Sequence, residues 1–127
     1  MDRPISSGLK ITFLIHFIVA LVFGLVFLIY PQLWGSLAGM QILAHELYRM
    51  LGAVMLALGV GSWLAYRAKI WESVRIIVLT EISWTAMAAV IILYYLIRHS
   101  FPALYWLPAL LMAGFAVAFA YFYFKNR

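Results

Sequence analysis

Two ionisable side chains inside long apolar segments, His16 and Glu81, are the residues of this sequence best placed to do chemistry. A charged side chain in hydrocarbon costs roughly 3 kcal/mol or more unless it is paired or wet. Glu81 lies about ten residues into its segment, roughly 15 Å at helical rise, and His16 lies about seven residues into another. Because both segments are counted from the same membrane side, the two side chains can meet at similar depth. Such a pair can neutralise two costly groups, carry a proton or hold a ligand's polar group.

The residues next to Glu81 extend this candidate ligand-binding or proton-binding set to Thr85 and Trp84. Thr85 adds a hydroxyl, and Trp84 lies near mid-depth, where its indole N–H needs a partner inside the protein. Three interpretations stay open: a pair that only holds helices together, a pair with a proton-carrying or ligand-binding role, and a protonated Glu81 that is simply hydrogen-bonded. We favour the first, because a single buried pair more often serves packing than relay.

A second polar cluster, His45, Glu46 and Arg49, stands at the start of the second apolar segment. Spacings of three and four place Arg49 on the same helical face as the other two, and an acidic residue suits a helix N-terminus. We therefore expect a helix start with an interfacial salt bridge. The alternative is a metal site that adds His99, but two His on separate connections are weak support for one, and we predict no metal.

The composition excludes several classes of function. Hydrophobic residues make up 68% and charged residues 10% of the chain, which leaves too little polar surface to coat a water-soluble globule. No catalytic, nucleotide or metal motif of recognised spacing is present, so we predict a non-enzymatic protein with no catalytic residues. The absence of Cys excludes disulfides, thiol redox chemistry and covalent haem attachment. We predict no cofactor; quinone or haem stays open, although haem would need another axial ligand because His16 differs in depth from His45 and His99.

Four long apolar runs occupy residues 9–30, 47–66, 71–97 and 103–124. Each is long enough to cross a hydrocarbon core of about 30 Å, and a backbone in lipid must satisfy its own hydrogen bonds. The sequence therefore predicts a single domain over residues 1–127, an all-α membrane protein of four transmembrane helices in an antiparallel bundle. The first run is too long for a cleaved signal segment, so we expect it to be retained.

The connection from Pro31 to Glu46 is too apolar for a free loop. The spacing of Leu33, Trp34 and Leu37 predicts a short helix in the membrane interface. It is either a packed cap over the helix ends, which we favour, or a lid over a ligand pocket.

Basic residues predict the orientation, since they accumulate in cytoplasmic segments. Seven of the nine fall on one predicted face, so both termini should be cytoplasmic; they are Arg3, Lys10, Arg67, Lys69, Arg75, Lys125 and Arg127. Only Arg49 and Arg98 fall on the other face. The net charge of +5 thus indicates orientation and contact with anionic lipids, and we do not expect a nucleic-acid partner. Just after the basic residues that separate the second and third apolar runs, the spacing of three between Glu72 and Arg75 predicts an ion pair.

Small residues recur every four positions on two segments. One stripe consists of Ala53, Ala57, Gly61 and Ala65, and the other of Thr12, His16, Ala20 and Gly24. Such stripes let helix backbones approach closely, so we expect them to face the bundle interior. A homodimer seam on the first stripe is the alternative.

The layout resembles that of small four-helix DoxX-like membrane proteins. The resemblance is most specific in residues 46–53, in residues 56–59 and at Arg67, and its layout extends over nearly the whole chain. It implies the fold, and some such proteins look like subunits or partners of membrane redox systems. Glu81 departs from the pattern, where a basic or neutral residue is expected. No functional residue is transferred.

These observations predict a small multi-pass protein of the cell membrane. We expect an accessory or assembly subunit, or a binder of a hydrophobic ligand such as lipid or quinone. Its partners would be membrane lipids and either other membrane subunits or further copies of itself. An oligomeric proton-coupled transporter that uses Glu81 is the alternative, and a haem-binding or redox membrane protein is the third possibility.

Overall fold

The computed structural model describes residues 3–126, so Arg127, counted above for the orientation, lies outside the described residues. The described chain contains five α-helices and one turn of 3-10 helix. They are α1 (Ser7–Ile29), α2 (Pro31–Ala38), α3 (His45–Arg67), α4 (Trp71–Ile97), the 3-10 turn (Ala103–Tyr105) and α5 (Trp106–Asn126). No β-strand occurs between residues 3 and 126.

Four segments are long and apolar enough to cross a membrane. They are Ser7–Ile29, His45–Arg67, Trp71–Ile97 and Ala103–Asn126. The four predicted spans are therefore confirmed by length and composition, with ends that differ by a few residues. The short helix predicted after Pro31 is present as α2, which starts on that proline and ends at Ala38; the next residue, Gly39, has a left-handed φ of 74°. Proline at the first position and glycine just past the end are the residues that favour these boundaries.

The helices pack in two close pairs, α1 with α3 and α4 with α5. The approach of α1 to α3 depends on Gly52. A Cβ atom there would lie 2.5 Å from the backbone nitrogen of Leu28 and 2.7 Å from the carbonyl oxygen of Gly24. Only a residue without a side chain leaves room for this contact, as in other membrane helix pairs.

The two small-residue stripes have different positions. On α1 the whole stripe is buried, as predicted. On α3 only Ala65 is buried, while Ala53 and Ala57 are exposed and a Cβ at Gly61 would meet no atom within 4 Å. This corrects the expectation that the α3 stripe faces the bundle interior. The buried line on α3 is instead Gly52, Met55, Gly59, Ser62 and Ala65, whose spacings of three and four follow the 3.6 residues per turn of a helix.

The two ends of the bundle are built differently. At one end, which we call the termini end, Arg3 contacts the start of α4. The carbonyl of Arg3 accepts a hydrogen bond from the Trp71 N–H at 2.7 Å, and Nε of Arg3 lies 3.0 Å from Oε1 of Glu72. Arg3 also donates to the carbonyl of Asn126. Glu72 therefore pairs with Arg3 and not with Arg75, a correction that follows because the chain start folds against α4. The opposite end, called the α2 end, holds α2 and residues 98–105.

We expect Gly52→Ala to lower the free energy of unfolding by about 1–3 kcal/mol, because the added methyl group collides with backbone atoms that cannot move independently. The matched control is Gly61→Ala on the same helix, where the methyl group meets open space. It should be neutral or stabilising by up to about 1 kcal/mol through helix propensity. Unfolding by sodium dodecyl sulfate in mixed micelles measures both. Equal effects of the two substitutions would contradict the close approach.

Candidate functional site

An apolar cavity of about 280 Å³ lies among the four long helices in the half of the bundle nearest α2. All four long helices contribute to its walls, as does α2 through Trp34. The exposed wall is almost entirely carbon, and no charged residue lines it. Aromatic side chains are unusually frequent in the lining: Phe23, Phe27, Trp34, Tyr48, Trp84, Phe101 and Tyr105.

Aromatic contacts close the cavity at the α2 end. The ring of Phe101 stacks on Tyr105 with centroids 4.2 Å apart, and Trp34 meets the same tyrosine edge to face at 5.2 Å. The hydroxyls of Tyr48 and Tyr105 lie 3.1 Å apart, and the latter donates to Sδ of Met40 at 3.6 Å. Helix α2 is therefore packed over the helix ends, as the favoured interpretation predicts, and through Trp34 it also forms one wall of the cavity.

Trp34 carries an unusual polar atom at this end of the cavity. Its side chain is buried, yet Nε1 has no hydrogen-bond partner among residues 3–126. A buried donor without a partner costs about 1–3 kcal/mol. Nothing in the sequence signals this donor, because its isolation depends on the surrounding side chains.

Three polar side chains meet at the centre of the bundle, beyond the cavity floor. His16 of α1, Ser62 of α3 and Glu81 of α4 are 2%, 0% and 1% exposed. Nδ1 of His16 lies 2.8 Å from Oγ of Ser62, and that hydroxyl donates to Oε1 of Glu81 at 3.3 Å. Nε2 of His16 lies 3.0 Å from Oε2 of Glu81, a short contact without the alignment of a hydrogen bond. We call this set the polar ring; α5 covers it, with Phe115 edge-on to the imidazole at 4.9 Å.

The number of hydrogens in the polar ring determines its charge. Two of the three contacts are hydrogen bonds that need one hydrogen each. The third, from Nε2 of His16 to Oε2 of Glu81 at 3.0 Å, also needs one hydrogen, because without it two electron-rich atoms would lie against each other. A neutral His16, the Ser62 hydroxyl and a protonated Glu81 supply three, and an imidazolium, the hydroxyl and a carboxylate also supply three. Any other protonation state leaves one contact without a hydrogen or gives one contact two. The polar ring is therefore complete only when its net charge is zero.

A small void lies between the polar ring and the cavity. His16 lines the void, which shares four wall residues with the cavity: Val19, Met55, Trp84 and Met112. The imidazole thus lies directly below the cavity floor.

The structure brings His16 and Glu81 together at the distance that a pair requires. Thr85 is buried beside them, but its hydroxyl donates to the backbone carbonyl of Glu81 at 2.6 Å and not to the carboxyl group. Trp84 is half-buried and lines the cavity. Sequence reasoning missed Ser62, and the one available signal was a hydroxyl three residues after Gly59 in an otherwise apolar helix.

The cluster of His45, Glu46 and Arg49 is exposed. Arg49 donates to the carbonyl of Leu28 at 3.0 Å, and in the described part of the chain no ion pair joins it to Glu46. This corrects the predicted salt bridge, because the unsatisfied carbonyls in the last turn of α1 attract the guanidinium. Within residues 3–126, His45, Glu46 and His99 do not form a group that could hold a metal ion.

Replacement of Glu81 by Gln should change the free energy of unfolding by less than about 1 kcal/mol. The amide oxygen accepts from Ser62 and the amide nitrogen donates to Nε2 of a neutral His16, so three hydrogens and zero charge are retained. His16→Leu, in contrast, removes two of the three contacts and should cost about 3 kcal/mol. Unfolding in mixed micelles measures both variants. A loss in Glu81→Gln as large as that in His16→Leu would show that the carboxylate charge itself holds the ring.

Neither protein-family models nor curated proteins nor solved structures give a match to this chain. The function of the cavity and of the polar ring is therefore inferred from their own geometry and chemistry.

Proposed function

We propose that this protein is a non-enzymatic membrane protein that binds a hydrophobic ligand of the lipid or quinone class in the cavity. The observation that carries the proposal is a carbon-lined space of about 280 Å³ between helices. Ligand sites are typically concave, mostly apolar and few per protein, with volumes from about 300 Å³ upwards. The cavity has these properties and lies close to the lower limit of size.

An empty cavity of this size would be costly. Unfilled space between helices forfeits van der Waals contacts on each wall that bounds it, at a cost of about 24 cal/mol per Å³ where the space is fully enclosed. Packed protein interiors contain few voids larger than a water molecule, and water is a poor occupant where the wall offers almost no polar atoms. A hydrophobic occupant restores the lost contacts, which supports ligand binding.

The polar ring supports a structural role in preference to proton-coupled transport. Its members are buried, and each of them lies within 3.3 Å of the other two. Transport through Glu81 stays the alternative prediction. It requires one of the three contacts of the polar ring to break during each transport cycle. Haem ligation has less support, because both ring nitrogens of His16 are engaged and His45 and His99 are exposed.

The role of accessory or assembly subunit stays open beside ligand binding. Ala53, Ala57 and Gly61 form an outward stripe on α3, and small residues admit a second helix, whether from another subunit or from a second copy. The resemblance to DoxX-like proteins is likewise a proposal. A bound ligand and a partner subunit are compatible, because the stripe does not line the cavity.

We further propose that both termini are cytoplasmic, in the cell membrane, on the basis of the basic residues at the termini end. A chain without Cys allows a direct test with single introduced thiols. In intact cells a membrane-impermeant maleimide should label Leu43→Cys at the α2 end, and should label Asn126→Cys only after lysis. The reverse pattern would overturn the orientation.

The experiment that tests ligand binding is native mass spectrometry of protein extracted gently from its own membrane. We expect a reproducible additional mass of one small hydrophobic molecule. Ala88→Phe fills the cavity from α4 and should remove that mass, whereas Val90→Phe, an exposed position on the same helix, should retain it. Wild-type protein without any bound molecule would overturn the proposal. A fixed hetero-assembly with an empty cavity would establish the accessory role instead.

A further inference from the structure

The cavity has exposed walls on two helices only. Of the residues that line it, the exposed ones are Leu47 and Leu51 on α3, at 62% and 37% exposure, and Ile91 on α4, at 55%. The lining residues on α1, α2 and α5 are buried or half-buried. The opening of the cavity is therefore between the halves of α3 and α4 nearest α2, a gap that faces lipid.

The other directions are closed. The aromatic cap of Trp34, Phe101 and Tyr105 covers the α2 end, and α1 lies close against α3 through Gly52. Buried Met55 and Met112 form the floor above the polar ring. A molecule dissolved in the bilayer thus has a direct path to the cavity, whereas a molecule in water must pass the cap.

The chemistry of the walls limits the ligand. A charged headgroup inside the cavity would lie against carbon without a partner, which is expensive. A volume of about 280 Å³ accommodates one ring or a segment of one chain and excludes the body of a two-chain phospholipid. On the protein side, Trp34 lines the cavity and its buried Nε1 has no partner among residues 3–126, so an oxygen acceptor that reaches this atom satisfies a donor.

From these observations we infer that the ligand is an uncharged amphiphile that enters laterally from the bilayer between α3 and α4, with its apolar body in the cavity and an oxygen acceptor at Nε1 of Trp34. The inference rests on the proposed function and adds the route and the ligand chemistry. The same chemistry describes an acylglycerol and a ring that carries carbonyl oxygens, and the choice of probes separates the two sources.

The route is tested by closing the gap reversibly. Leu51→Cys and Ile91→Cys, introduced together into the Cys-free chain, are joined by a cleavable thiol-specific cross-linker in phosphatidylcholine nanodiscs. Uptake of deuterated monooleoylglycerol, or of a decyl-substituted benzoquinone in a parallel sample, is followed by native mass spectrometry. Cross-linking should slow uptake at least tenfold, and dithiothreitol should restore it. Each single-Cys variant treated with the same reagent is the control for added bulk.

The outcomes separate the route from the proposed function. Uptake by the open protein that does not change on cross-linking would overturn the lateral route and leave ligand binding intact. Uptake of neither probe, together with no co-purified molecule, would overturn ligand binding itself. Uptake of one probe in preference to the other identifies the source of the ligand chemistry.

The acceptor is tested by Trp34→Phe, which retains an aromatic wall and removes the donor. We expect retention of the probe to weaken roughly tenfold, which corresponds to one hydrogen bond. Trp106→Phe is the control, because Trp106 is exposed near the same end and does not line the cavity. Equal retention in wild type and Trp34→Phe would overturn the hydrogen bond to the ligand.

Discussion

The polar ring of His16, Ser62 and Glu81 is the interaction on which the arrangement of the helices depends. Its members come from α1, α3 and α4, so it joins the close pair α1–α3 to the pair α4–α5. Polar groups in hydrocarbon find no water, and each can be satisfied only by another protein group. The ring therefore fixes the depth and rotation of three helices at once, because a turn or a slide of any one breaks at least one of its three contacts.

The cavity lies beyond the polar ring, towards the α2 end of the bundle. At the level of the ring the four helices are in contact, with α5 covering the imidazole through Phe115. Towards the α2 end the space between the two pairs is bounded by large aromatic side chains, which close the end through contacts with one another. The molecule thus combines a polar centre with an apolar compartment above it, and the exposed residues that line this compartment lie on α3 and α4.

Much of the fold follows from the sequence. The length of the apolar runs determines four spans, and Pro31 determines where α1 stops and α2 starts. The similar depth of His16 and Glu81 could be counted from the segment starts, because a helix converts residue number into distance at a constant rise. Ser62 could not be chosen in the same way, since one hydroxyl in an apolar helix has no preferred partner until the helices are rotated against each other.

The sequence by itself therefore determined the number of spans, the short capping helix and the depth of the buried pair. Only the tertiary structure decided which face of α3 packs, which partners Arg49 and Glu72 take, and that a cavity lies above the polar ring. The reason is physical: in a bilayer an apolar side chain suits the lipid as well as the interior, so hydrophobicity does not separate the two faces. That choice depends on backbone approaches such as that at Gly52, which involve residues far apart in the chain.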